Sequence, residues 1–178
     1  MTTPRDANNL IVDDEQSLLD SYAAMLGMHY DVDTAATGDE ALQTVNDETD
    51  VVLLDRRLPE WTGSEILSAI RERNLDCQVL FCSAVVPDVD ILDVEPDGYL
   101  HKPVGIDGLT DAIEAQLEMA DEPEAVRKYE RLDRLKEILQ RRQSRARLAA
   151  AEQYQQLLDQ LEQRARVVGQ RRDNVPAA

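Results

Sequence analysis

Val51-Val52-Leu53-Leu54-Asp55 is the stretch that decides the fold: four apolar residues closed by a carboxylate. A short uninterrupted apolar run fits a strand buried on both faces, as in a parallel sheet. Leu10-Ile11-Val12 ends the same way, at Asp13-Asp14, and Tyr99-Leu100-His101 runs into Lys102-Pro103. Strand patterns fall near 9–13, 30–34, 50–55, 77–82 and 97–101, with helical patterns at 17–26, 39–45, 63–71 and 106–117 between and after them. This alternation predicts an α/β fold with a doubly wound, five-stranded parallel sheet covered by helices on both faces. Ligands of such folds bind beyond the carboxyl ends of the strands, where the winding reverses. For strand order 2-1-3-4-5 that point lies between the first and third strands, whose ends carry Asp13, Asp14 and Asp55.

Three carboxylates gathered at one point repel unless a cation joins them. Hard oxygen ligands suit Mg²⁺, which commonly bridges to a phosphate. Lys102 is the only lysine in the first 120 residues, and its ammonium can hold a phosphoryl oxygen. Ser83 closes the fourth strand pattern and offers a hydroxyl. Together these groups suit in-line attack on a phosphoryl group, with Asp55 as the nucleophile. The plainer alternative is that the strand-end aspartates are helix caps, Asp14 capping the first helix.

These residues resemble the receiver domain of two-component response regulators. The resemblance rests on Ile11-Val12-Asp13-Asp14-Glu15, on Asp55 followed by Leu58-Pro59 and Gly63, on Ser83-Ala84, and on Tyr99-Leu100 with Lys102-Pro103. It covers residues 8–120 and implies a flavodoxin-like fold. It also implies that Asp55 accepts a phosphoryl group from a sensor histidine kinase. Asp13, Asp14 and Asp55 would hold Mg²⁺ with the backbone carbonyl of Arg57. Ser83 and Tyr99 fall at the family's conformational-switch positions, and Lys102 at its phosphate-contacting lysine. Such a domain promotes only its own phosphorylation and dephosphorylation. An enzyme for a diffusible substrate is not expected, because glycine is scarce and no phosphate-cradling glycine loop is present.

Charge divides the chain. Residues 1–120 carry 6 Lys/Arg against 26 Asp/Glu, whereas residues 121–178 carry 13 against 10. Dense surface acid with few lysines suits a protein from a salt-accumulating organism, because salt screens the repulsion among hydrated carboxylates. Cys77 and Cys82 lie an odd number of residues apart in one strand pattern, so they should face opposite ways and form neither a disulfide nor a metal pair. No apolar run approaches a membrane span, and the N-terminus lacks a signal-peptide core, so a cytoplasmic protein without membrane insertion is expected.

A domain boundary is expected near Asp121-Glu122-Pro123, with Pro123 in the first turn of a new helix. Residues 124–168 contain neither Gly nor Pro, enough for about 68 Å of straight helix. Gly169 is the expected stop, and residues 1–7 and 169–178 are expected to be flexible ends. Leu132, Leu135 and Leu139 keep a 3-4 rhythm, as do Tyr154, Leu157, Leu161 and Val168, but 140–147 between them holds four arginines and no large apolar residue. A coiled coil with a shifted middle and a helical hairpin turning near Gln143-Ser144 both fit, with the hairpin or a bent helix slightly favoured.

This segment resembles the HalX domain that follows receivers in haloarchaeal regulators, on Tyr129, Leu132, Leu135, Leu139, Tyr154, Leu157-Leu158 and Leu161. The output would be a protein interaction or self-association through these helices. The alternative is DNA binding by the basic segment 127–147, which holds 9 basic and 3 acidic residues and could track phosphates. Finally, only 18 residues separate Ser83 from Lys102, and Pro87 and Pro96 lie among them. That leaves room for a fourth helix of about two turns.

Overall fold

The structure is a computed structural model and describes residues 7–172. In chain order the first elements are β1 (Asn8–Val12), α1 (Gln16–Leu26), β2 (Asp31–Ala35), α2 (Gly38–Thr44), β3 (Val51–Leu54), α3 (Gly63–Glu72) and β4 (Gln78–Ser83). A single 3-10 turn (Val89–Leu92) precedes β5 (Gly98–His101), followed by α4 (Ile106–Ala120), α5 (Glu124–Arg142), α6 (Arg145–Ala149) and α7 (Glu152–Arg172). The expected flexible ends at 1–6 and 173–178 lie outside the described residues. Ala7 is fully buried, so the start of that expected end is part of the packed chain.

Residue contacts divide the chain into two compact units. The first runs to Val86 and resumes with Pro96–Asp121; the second joins Pro87–Glu95 to the chain from Glu122 onward.

In the first unit the five strands are all parallel, in the order β2-β1-β3-β4-β5. Every residue of β3 and β4 is buried, as their unbroken apolar runs require of central strands. Side chains alternate across the sheet. Ile11, Val51, Leu53, Leu80 and Cys82 face α1 and α4, where they pack with Leu19, Tyr22, Leu26, Leu109 and Ile113. Val52, Leu54, Val79 and Phe81 take the opposite face, on the side of α2 and α3. Full burial of each large apolar side chain contributes roughly 1.5–3 kcal/mol. At the sheet edge, β2 exposes Asp31 and Asp33, charges that discourage a further strand from pairing there.

Local signals fix the helix starts. Thr62 and Glu65 form a reciprocal capping box at α3, and the hydrogen bonds from Thr62 lower the Glu65 pKa. Thr37 caps α2. At the far end of α3, Arg71 Nη2 lies 2.5 Å from Asp97 Oδ2, which also accepts the Val79 N–H at 2.7 Å. Arg71 Nη1 donates to the Cys77 carbonyl at 2.7 Å. The buried Asp97 thereby ties β5 to β4 and α3.

The second unit is built on leucines. Leu132, Leu135 and Leu139 of α5 are buried, as are Leu148, Ala151, Tyr154, Leu157, Leu161 and Val168. Gln140 Nε2 donates to the Tyr154 hydroxyl at 2.9 Å. The 124–168 segment is not one continuous helix. Gln143 is extended (φ −114°, ψ 151°) and ends α5, and Ser144 caps α6 by accepting the Arg147 N–H at 3.2 Å.

Three local expectations need correction. Pro123 precedes the first turn of α5 as its N-cap, because its backbone is extended (ψ 142°). Gly169 does not stop α7, which continues to Arg172. Among the described residues, nothing beyond the local helix backbone lies within 4 Å of a Cβ placed at Gly169, which has no positive φ. The segment between β4 and β5 forms one 3-10 turn instead of about two turns of helix. Asp88 caps it at 2.7 Å from the Val89 N–H, and the chain reverses at Glu95 with φ 49° so that Asp97 can reach Val79.

Candidate functional site

Sheet register brings the site together. The Asp55 N–H donates to the Val12 carbonyl at 2.9 Å and the Asp13 N–H to the Ala35 carbonyl at 3.1 Å, extending the ladders one residue past the strands. Asp13 and Asp55 therefore stand side by side beyond β1 and β3, at the point where the winding reverses. The Lys102 N–H continues the β4–β5 ladder onto the Ser83 carbonyl at 3.0 Å.

From there the Lys102 ammonium reaches both acids. Its Nζ donates to Asp13 Oδ2 and, at 2.8 Å, to Asp55 Oδ2. All three side chains are largely buried, Lys102 at 13%, Asp13 at 4% and Asp55 at 12% exposure. Burial opposes the ammonium charge, but the hydrogen bonds and charges of Asp13 and Asp55 outweigh it and raise the Lys102 pKa. Oxygens of Asp13, Asp14 and Asp55 all lie within 4.8 Å of one another. Asp14 is exposed and does not cap α1. The N-cap is Glu15, whose N–H donates to Asp13 Oδ1 at 3.0 Å. The plainer alternative for Asp14 therefore fails. Arg57 is exposed, and its N–H donates to the other Asp55 oxygen at 3.2 Å.

Ser83 is buried beside this group, and its hydroxyl accepts the Val85 N–H at 3.4 Å. The Tyr99 hydroxyl donates to the Val85 carbonyl at 2.5 Å. Burial raises the Tyr99 pKa although hydrogen bonds from Arg56 and Ser83 work against it. Cys82 also faces the site, but burial and the charges of Asp13 and Asp55 push its thiol up to about 11. It stays protonated and unreactive at neutral pH.

Sequence reasoning missed Arg56. Its guanidinium lies 5.6 Å from the Phe81 ring centroid and 6.0 Å from that of Tyr99, and these two rings meet edge to face at 6.1 Å. It also missed Trp61, whose indole N–H donates to Asp39 at 3.1 Å. Adjacency to Asp55 was the available signal for Arg56. Nothing in the sequence pairs Trp61 with α2.

Residues 10–114 match the family described as the response regulator receiver domain. The chain belongs to that family. Its receiver is 44% identical over 121 residues to a candidate transcriptional regulator of Haloferax volcanii, covering 67% of this chain and 21% of that protein. It is 35% identical over 105 residues to the transcriptional regulatory protein DltR of Streptococcus agalactiae, covering 56% of this chain and 47% of that one. The chain thus spans less than half the length of these curated relatives. Among solved structures, the CheY-like receiver of Methanospirillum hungatei JF-1 superposes with a TM-score of 0.60 at 30% identity, covering 65% of this chain and 96% of that one. The fold and strand order are those of the flavodoxin-like receiver, followed here by C-terminal helices. Among the described residues, no helix is long and apolar enough to cross a membrane.

Proposed function

We propose that Asp55 accepts a phosphoryl group from the phosphohistidine of a sensor histidine kinase, and that the helical unit carries the result onward. The observation that supports this best is the arrangement around Asp55. Its carboxylate shares the Lys102 ammonium with Asp13, inside a group of three acids whose oxygens lie within 4.8 Å of one another. Three carboxylates and one ammonium leave the cluster negative, and hard oxygen donors of this kind fit Mg²⁺. Asp13, Asp14 and Asp55 would hold the ion, with the Arg57 carbonyl. A bound ion neutralises charge that builds on the phosphoryl oxygens.

The chain's own groups do the rest. An Asp55 oxygen forms the new O–P bond as the P–N bond of the donor breaks, and the histidine nitrogen keeps the bonding pair and takes up a proton. Lys102 and Ser83 hold phosphoryl oxygens through charge and hydrogen bonding. Ser83 and Tyr99 act as the switch pair. The acceptor is the protein's own side chain, so the phosphoryl group stays on the chain until hydrolysis releases it as phosphate and restores Asp55.

We also propose that the second unit is a HalX-type interaction module working through protein contacts or self-association. The arginines and lysines of 127–147 support this over DNA contact, because several are already engaged. Lys128 pairs with Glu95, Lys136 with Asp133, Arg141 with Glu137 and Arg147 with Asp88. Arg127, Arg131 and Arg134 take part in further interactions.

Phosphoramidate or acetyl phosphate should add one phosphoryl group to the intact chain in Mg²⁺. Asp55→Asn and chelation should each abolish it. Full labelling of Asp55→Asn would overturn the assignment.

A further inference from the structure

Resting on the proposed role of Asp55, the geometry points to Arg56 as a positioning residue that sets the conformation of residues 85–95 according to the state of Asp55. Two independent sets of contacts lead to this. The first lies within the receiver unit. Arg56 stacks over Phe81 and Tyr99, and Tyr99 in turn donates to the Val85 carbonyl. Val85 is thus linked through the Tyr99 ring to the residue that follows Asp55.

The second set lies within the helical unit. The chain leaves the receiver after Val86, and Pro87–Glu95 belongs to the helical unit. This nine-residue segment is anchored at both ends. The Pro87 carbonyl accepts from Gln143 Nε2 at 2.8 Å, and Arg147 Nη2 lies 3.1 Å from Asp88 Oδ2. At the other end Lys128 pairs with Glu95, which holds a left-handed backbone at φ 49°. That conformation is unfavourable for a glutamate, so the surroundings must maintain it. Between the anchors Val89 and Ile91 are buried. With contacts to α5, α6 and Gln143 along its length, the segment carries a shift of Val85 toward the helices.

Arg56 has a reason to respond. A phosphoryl group adds negative charge and three acceptor oxygens to the adjoining residue. A guanidinium prefers charged oxygens to an aromatic face. Drawn toward Asp55, Arg56 leaves the rings, Tyr99 loses its cover, and the hold on Val85 changes.

The test uses the full chain, loaded with phosphoramidate or beryllofluoride in Mg²⁺, and hydrogen exchange of the amides at 85–95 and 124–142. Loading the native protein should change exchange at 87–95 by about two- to fivefold, the shift a cation–π contact at a half-exposed site can impose. Arg56→Met, compared with the native protein at equal loading, should lose most of that change. Arg56→Lys, which keeps a cation over the rings, should retain a part of it. Native labelling with no response at 87–95, or an undiminished response in Arg56→Met, overturns the inference and leaves the role of Asp55 standing. Failure of the native protein to label overturns both.

Discussion

Replacement of Gly63 by alanine tests how tightly α3 is set against the acceptor loop. A Cβ at Gly63 would lie 2.6 Å from the Asp55 carbonyl oxygen, 2.9 Å from Arg56 Cα and 3.2 Å from Phe81 Cε1. The first distance is about 0.8 Å short of ordinary contact. The two nearest atoms are backbone, held by the 3.0 Å bond from the Gly63 N–H to the Arg56 carbonyl, so no rotamer change relieves the overlap. Overpacking of this kind costs about 1–3 kcal/mol. Gly63 has no positive φ, so alanine returns helix propensity, at most about 1 kcal/mol and less in a first turn. The clash wins, and Gly63→Ala should lose about 1–2 kcal/mol. The displaced backbone carries Asp55, and a misplacement near 1 Å can cost about a hundredfold in rate. Labelling should therefore fall by about ten- to a hundredfold. Urea unfolding in molar KCl, followed by fluorescence of Trp61, gives the stability, and phosphoramidate labelling gives the rate. Gly108→Ala is the control. Its Cβ meets only a Val104 methyl, at 3.1 Å, and it should gain up to about 0.5–1 kcal/mol. A Gly63→Ala protein as stable and as readily labelled as the native one would refute the reasoning.

Asp97→Ala should destabilise by about 2–4 kcal/mol, because it orphans the buried Val79 N–H and removes the partner of Arg71, whose partial exposure softens the loss; denaturant titration measures it, and Asp97→Asn should recover a part. Stability should fall at alkaline pH. Burial, with the charge of Cys82, pushes Tyr22 up to about 12, so the folded state keeps a proton that the unfolded state releases from about pH 10. Its contribution is whole below pH 10 and lost as pH rises through 12, and Tyr22→Phe should remove that part of the pH profile. Residues 1–120 carry 20 more acids than bases, so the thermal midpoint should rise between dilute buffer and molar KCl as repulsion is screened; a flat response would argue against salt adaptation.

The sheet and its acidic edge were legible because parallel strands buried on both faces write themselves as unbroken apolar runs, and because their terminal polar residues share one edge. Val51–Leu54 with Asp55, and Leu10-Ile11-Val12 with Asp13, needed no knowledge of distant contacts. The break in the helical tail was harder to see. Absence of Gly and Pro argued for continuity, whereas Ser144, a good cap with its acceptor aimed at the Arg147 N–H, marks the new start. Beyond its place next to Asp55, nothing marked Arg56, because its ring contacts depend on β4 and β5 bringing Phe81 and Tyr99 together, which periodicity does not encode. The left-handed Glu95 was hidden likewise: its ion-pair partner, Lys128, lies 33 residues away.

The path of the backbone also constrains how this protein could be cut or exchanged. A cut at residue 121 would part Pro87–Glu95 from the helices it clusters with. Such a fragment would carry Val89 and Ile91 without the helices that bury them, and a tail grafted onto another receiver would arrive with a gap in its core. Pro87–Glu95 belongs with the helical unit although it lies inside the receiver's stretch of sequence, so a chimera has to transplant both pieces or rewrite residues 87–95 for the new owner.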